Sequence, residues 1–175
     1  MIEYRFATFE DAYQVAYVAA HSWYETYKGF MPDEYLENRI KNIDESAIKT
    51  KNFILNNPRY LVATYNEKVV GICYYSESQN NDYPNSGLLG ALYVLKEYQG
   101  KNIGKNLFKM AIKNLKEMGF NSMYLECLQG NKTINFYKHF QGIIVDEMDY
   151  PISDFKVKAD IVYFENLDKI LEQMN

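Results

Sequence analysis

Cysteine is scarce in this chain. Only Cys73 and Cys127 occur among 175 residues, both inside apolar, strand-like segments. That argues against a disulfide scaffold and for a reducing, cytoplasmic setting. Long hydrophobic runs are missing too. The longest, Gly87 to Leu95, falls far short of the roughly 20 residues that a membrane-spanning helix needs. The opening Met-Ile-Glu-Tyr-Arg-Phe does not read as a signal peptide. Positive charge is not in excess: the net charge is −4 and the pI about 5.3. This gives no nucleic-acid footprint and leaves a mildly acidic surface, better suited to cationic substrates. Repeats and low-complexity linkers are also lacking. What is present is ordinary for a globular protein, 47% hydrophobic and 24% charged. Its 17 tyrosines supply apolar area with a polar tip, which suits clefts and interfaces as well as cores. The length fits one domain, residues 1–175, with a sizeable core.

Hydrophobic periodicity orders the chain. Ile2, Tyr4 and Phe6 alternate with charged residues as in a strand. Thr8 with Asp11 forms a capping-box pattern before a helical face of Ala12, Val15, Ala16, Ala19 and Trp23. Residues 24–44, broken by Gly29 and Pro32, read as a loop plus a short helix, and Glu45 to Asn56 as another helix. Tyr60 to Tyr65 and Val69 to Ser76 form a hairpin through Asn66-Glu67-Lys68, followed by a polar loop over 78–86. Leu88 to Leu95 is nearly all apolar, as for a strand buried on both faces. A helix with the stripe Ile103, Leu107, Ala111, Leu115 and Met118 follows, capped by Gly119. A strand over 123–128, a short helix over 131–140 and two strands, 143–150 and 156–164, precede an apolar helical tail. The strand–helix–strand crossover from 88 to 128 requires a parallel, right-handed pair. The fold class is therefore mixed α/β.

The stretch Tyr98-Gln99-Gly100-Lys101-Asn102-Ile103-Gly104-Lys105 joins that apolar strand to the long helix. Successive amides at a helix N-terminus form an anion site. Glycines there let a ligand approach the backbone closely, and Lys101 and Lys105 add charge. The alternative is a tight turn with a solvated lysine face. Two familiar phosphate motifs fail: the glycine spacing is one residue short for a P-loop, and G-x-G-x-x-G is absent.

The loop instead resembles the [RQ]-x-x-G-x-[GA] pyrophosphate loop of the GNAT N-acetyltransferases. Asn131-Lys132-Thr133-Ile134-Asn135-Phe136-Tyr137 with Gly142 is similar to that family's N-x-x-[AS]-x-x-[FL]-Y-x-x-x-G-F stretch. The segment from Ser22 to Leu36 resembles many bacterial members. The match spans nearly the whole chain, with the motifs in order and about 30 residues apart. It implies a central, mostly antiparallel sheet of about seven strands, with a parallel splayed pair in the middle and helices on the flanks. Two departures stand out. Asn102 occupies the first loop-glycine position, and Asn is the non-glycine residue that best tolerates a left-handed backbone. Ile143 replaces the final Phe.

By this resemblance the cofactor is acetyl-CoA, with CoA as product. Its pyrophosphate would lie on the amides of Gln99, Gly100, Lys101, Asn102, Ile103, Gly104 and Lys105, and its pantetheine arm beside Leu92, Tyr93 and Val94. A free N–H near Val94 would polarise the thioester carbonyl. Tyr137 would hydrogen-bond the departing sulfur, where complete proton transfer is uphill by roughly 2 kcal/mol. The alternative for Tyr137 is a buried tyrosine packed with Ile134 and Phe140. Asn131 either contacts CoA or simply caps a helix.

The acceptor must be a neutral amine, about one part in two thousand of an alkylamine at pH 7, so a proton acceptor helps. The strand before the loop has no ionisable side chain, so the base comes from elsewhere or acts through water. Glu126 is the leading candidate against a solvated edge carboxylate, with Glu25 and His21 behind it. Trp23, Glu25 and Tyr27 are expected at the acceptor side, in a cleft between the 24–37 segment and the 76–87 loop. Cys127 reads as packing and His139 as surface. The expected partner is a small-molecule amine, with no nucleic acid, membrane or metal. The resemblance to the family also implies a homodimer, to which the apolar tail would contribute. A protein or peptide amine acceptor, and a CoA-binding module without transferase activity, are the competing readings.

Overall fold

The structure is a computed structural model and describes residues 1–152 and 155–174. Among them lie seven strands, β1 (Ile2–Phe6), β2 (Tyr60–Tyr65), β3 (Lys68–Glu77), β4 (Gly87–Val94), β5 (Met123–Leu128), β6 (Ile143–Tyr150) and β7 (Val157–Phe164). Six α-helices accompany them, α1 (Ala12–Tyr27), α2 (Asp33–Lys41), α3 (Ile43–Asn56), α4 (Ile103–Glu117), α5 (Ile134–His139) and α6 (Leu167–Gln173). Hydrogen-bonded neighbours in the sheet run β1-β2-β3-β4-β5-β7-β6. Only β4 and β5 among the registered pairs are parallel, through Gly87 with Met123 and Leu88 with Tyr124. The chain divides into two compact units, residues 1–74 with 91–111 and the remainder.

In the first unit, Ala12, Val15 and Val18 of α1 pack with Ile54, Val62, Val69, Ile72 and Leu95. The expected capping box forms: the Thr8 amide donates to Asp11 Oδ2 at 2.7 Å. Asp11 also receives both Arg5 Nη atoms, at 2.6 and 2.8 Å, so one carboxylate fixes the entry of α1 and the end of β1. The β2–β3 turn has two residues, Asn66 (φ 48°) and Glu67 (φ 64°). Two successive left-handed residues match the right-handed strand twist. Lys68 already pairs with Tyr65, so it belongs to β3 rather than to the turn.

The segment after Trp23 departs from expectation. Helix α1 continues through Tyr27, where a loop beginning at residue 24 was read. Tyr24 and Tyr27 keep the helical spacing, and the break comes only at Gly29, whose φ is 87°. Pro32 then opens α2.

In the second unit, β5 and β7 pair antiparallel from Met123 with Phe164 to Leu128 with Ala159, and β6 flanks β7. Helix α4 ends in a Schellman motif: Gly119 (φ 95°) donates to Lys116 O at 2.9 Å and Phe120 to Leu115 O at 3.0 Å. The apolar tail is mostly covered by its own chain, with Leu171 partly exposed. Leu167, Ile170 and Met174 are all buried within the one chain, so the expected dimer loses that support.

Candidate active site

Strand β4 is apolar throughout but incompletely covered. Gly87 and Leu89 are buried, whereas Ala91, Leu92, Tyr93 and Val94 remain partly exposed and Gly90 is exposed. Burial on both faces, expected from its composition, therefore fails over its second half. The strand leads into a 3-10 turn at Lys96–Tyr98. Gln99 clamps this corner: its Nε2 donates to Val94 O at 3.0 Å and its amide to Lys96 O at 3.2 Å.

The next six amides, Gly100 to Lys105, have no backbone acceptor among the described residues; the first engaged again is Asn106, which donates to Asn102 O at 2.9 Å. The open run is thus one residue shorter than expected, because Gln99 is occupied. Gly100 (φ 74°) and Asn102 (φ 60°) both take the left-handed conformation. Asn102 does what its chemistry allows, standing in for glycine. A Cβ at Gly104 would meet only Val94 Cγ2, at 3.7 Å, and one at Gly100 nothing within 4 Å. Packing does not demand glycine at 104, and its missing side chain leaves bare backbone at the start of α4. Six unpaired N–H groups on a helix N-terminus fit an anion such as a diphosphate. Lys101 does not extend over the loop; its Nζ donates to Glu97 O at 3.2 Å and sits 5.0 Å above the Tyr98 ring.

One residue that sequence reasoning missed holds this loop in place. A Cβ on Gly71 of β3 would lie 3.0 Å from Ile103 Cγ2 and 3.1 Å from Leu107 Cδ1. The first turn of α4 therefore rests on bare sheet backbone. A lone glycine inside a strand pattern was the available signal.

The acceptor-side residues lie close to the same strand. Trp23 is buried, its Nε1 donating to Tyr93 Oη at 2.9 Å, and its ring lies 4.8 Å from that of Tyr27. Tyr27 is itself buried, so both are packing residues on α1, and Trp23 is also a neighbour of β4. Glu25 receives Lys96 at 2.7 Å and Lys28 at 3.1 Å. Those lysine hydrogen bonds, Lys96 first, hold its carboxyl below the usual range, which makes it a poor proton acceptor. His21 stacks on Tyr17 at 4.0 Å.

In the second unit, Tyr137 is buried on α5, its ring edge-on to Phe136 at 5.5 Å and to Phe164 at 6.3 Å. Helix α5 begins at Ile134 rather than at Asn131. Asn131 instead forms an Asx turn, its Oδ1 accepting from the Thr133 amide at 2.9 Å. Glu126 alternates outward from buried Leu125 and Cys127 on β5. It has no hydrogen-bond or ion-pair partner among the described residues, and desolvation raises its carboxyl above the usual range. Cys127 is buried, its thiol pushed up to about 11 by burial and then by Asp160, which suits packing and not nucleophilic attack. His139 is exposed, as expected. Among the described residues no group of three His, Cys, Asp or Glu is arranged to hold a metal, and no helix is long and apolar enough to cross a membrane.

Comparison with known proteins converges on one family. An uncharacterised N-acetyltransferase of Bacillus subtilis, YuaI, is 27% identical over 158 residues, covering 90% of each chain. The spermidine N(1)-acetyltransferase of Thermoplasma acidophilum is 29% identical over 153 residues, covering 85% of this chain and 91% of its own. The PaiA N-acetyltransferase of Thermoplasma acidophilum, solved with coenzyme A, superposes with a TM-score of 0.70 at 23% identity, over 94% of this chain and 99% of its own. The Acetyltransferase (GNAT) family profile matches residues 15–143, a span that contains the amide loop, Glu126, Tyr137 and Gly142. The chain belongs to the GNAT acetyltransferase family and is an acyltransferase with acetyl-CoA as its cofactor.

Proposed function

We propose that this protein, acting as one 1–175 domain, moves the acetyl group of acetyl-CoA directly to the primary amine of a small molecule. The observation that carries the reading is the run of six unpaired amides from Gly100 to Lys105 at the start of α4, with left-handed Gly100 and Asn102 shaping it. These amides and the helix dipole hold the diphosphate. The partly exposed residues Leu92, Tyr93 and Val94 take the pantetheine arm. Acetyl-CoA supplies an activated thioester. Tyr137 stabilises the negative charge on the departing sulfur by donating its hydroxyl hydrogen, which requires no complete proton transfer. Glu126 accepts the amine's proton: it has no partner among the described residues, and its raised pKa brings its basicity closer to the working pH. Glu25, held by two lysines, is not assigned that role.

A small acceptor is supported by the spermidine acetyltransferase among the relatives, at 29% identity. The test is thiol release from acetyl-CoA across a panel of small amines and peptides. Turnover with small amines, and little with peptides, is the expected result. Tight CoA binding without acetylation of any amine would leave only a CoA-binding module.

A further inference from the structure

Arg39 carries donors that the fold leaves without a partner among the described residues. It lies on α2, half-buried, with its guanidinium 4.2 Å above the Trp23 ring. Its Nη1 donates to Tyr35 Oη at 3.3 Å. Its Nε is buried without a hydrogen-bond partner, and no carboxylate pairs with the guanidinium among the described residues. Arg5, by contrast, is fully engaged by Asp11. A cation stacked on an aromatic ring retains its in-plane donors. Here the engaged donor is Nη1. The donors left without a partner are the buried Nε and Nη2, which together form the parallel fork that matches a carboxylate.

Position gives this fork a role. Trp23 carries Arg39 on its ring and donates from its Nε1 to Tyr93, the residue before Val94 on β4. Arg39 is thus one indole away from the strand on which the acyl group would lie. Helix α2 itself carries Asp33, Glu34 and Glu37, while on α1 Glu25 is held by both Lys28 and Lys96.

Resting on the acetyl-transfer reading above, we infer that the acceptor amine also bears a carboxylate, and that Arg39 is the residue that selects it. Engaging Nε requires the atoms that cover it to shift, so the full fork forms only with the ligand in place. The substrate class is then an amino acid or amino-acid-like amine. The buried Nε would gain a partner only in the complex, a situation that favours the matching ligand strongly over one lacking the group.

The experiment compares an α-amino acid, its carboxamide, its decarboxylated amine and spermidine as acceptors, with wild type, Arg39→Gln and Arg39→Lys. Wild type should favour the acid over its carboxamide by about 10-fold or more in kcat/KM. Arg39→Gln should remove that preference, mainly through KM, while leaving the carboxamide rate and CoA affinity by calorimetry unchanged. Arg39→Lys should restore part of it. Fluorescence of the single tryptophan, Trp23, shows whether the stack survives. A wild type that prefers spermidine or the decarboxylated amine, or an Arg39→Gln variant that loses acid and carboxamide equally, overturns the assignment but not acetyl transfer. No thiol release with any acceptor removes the transfer reading, and this inference with it.

Discussion

The main-chain N–H of Gly142 donates to the carbonyl of Tyr137 at 2.9 Å, closing α5 directly behind the proposed sulfur-binding tyrosine. Gln141 (φ 67°) takes the left-handed site of this Schellman motif, its amide donating to Lys138 O at 3.1 Å. Gly142 is required for space instead: a Cβ there would lie 2.8 Å from both Tyr137 O and Val162 Cγ1, and 2.9 Å from Phe164 Cζ. Gly142→Ala must therefore displace the backbone that carries Tyr137. It should destabilise the protein by about 1–3 kcal/mol and lower kcat, with CoA affinity retained. An unchanged melting temperature would contradict the packing argument.

Tyr137→Phe separates chemistry from packing. The ring and its edge-on contacts with Phe136 and Phe164 survive, and only the hydroxyl is removed. Turnover should fall by at least about 10- to 100-fold, with CoA affinity and melting temperature little changed. Loss of CoA binding instead would make Tyr137 a structural residue.

The amide loop makes opposite predictions for two neighbouring positions. Gly104→Asp has room within the protein, since its Cβ would meet only Val94 at 3.7 Å. It should fold normally, yet weaken CoA binding at least about 10-fold by placing a carboxylate beside the diphosphate. Asn102→Val should instead destabilise the fold, because a β-branched residue is poorly tolerated at φ 60°. Asn102→Gly should be neutral or slightly stabilising. Calorimetry with CoA and thermal unfolding distinguish the two positions; unchanged CoA affinity in Gly104→Asp would contradict the loop assignment.

Much of this arrangement was legible because it rests on local rules. Asn102 reads as a left-handed residue since few others tolerate that backbone, and Thr8 with Asp11 reads as a cap because the reach is three residues. What escaped depends on tertiary contact. Gly71 signals a close approach on its strand, but only the fold shows that Ile103 and Leu107 make it. Glu25 looks like a free acid until Lys96, distant in sequence, reaches it. The tail's apolar pattern cannot say whether Leu167 and Ile170 meet their own sheet or another copy, and the structure buries them within the chain. The half-open state of β4 was missed for the same reason: composition records affinity for cover, not whether the chain supplies it.

Glu126 yields a prediction in pH. Its carboxyl, partly desolvated and without a partner among the described residues, sits above its ordinary value of 4.5. As the proton acceptor it must be ionised, so kcat/KM should rise with pH along an acidic limb set by this raised pKa. Glu126→Gln should lose that limb and retain the one belonging to the amine. Stability moves the other way. A raised folded pKa means the folded protein holds this proton more tightly than the unfolded chain does. That contribution is complete below the unfolded pKa and declines as pH rises through the folded one. Glu126→Gln stays neutral throughout, so it should gain melting temperature relative to wild type on going from pH 4 to pH 7. A melting difference that does not vary with pH, together with an acidic limb that survives the substitution, would remove Glu126 from the reaction.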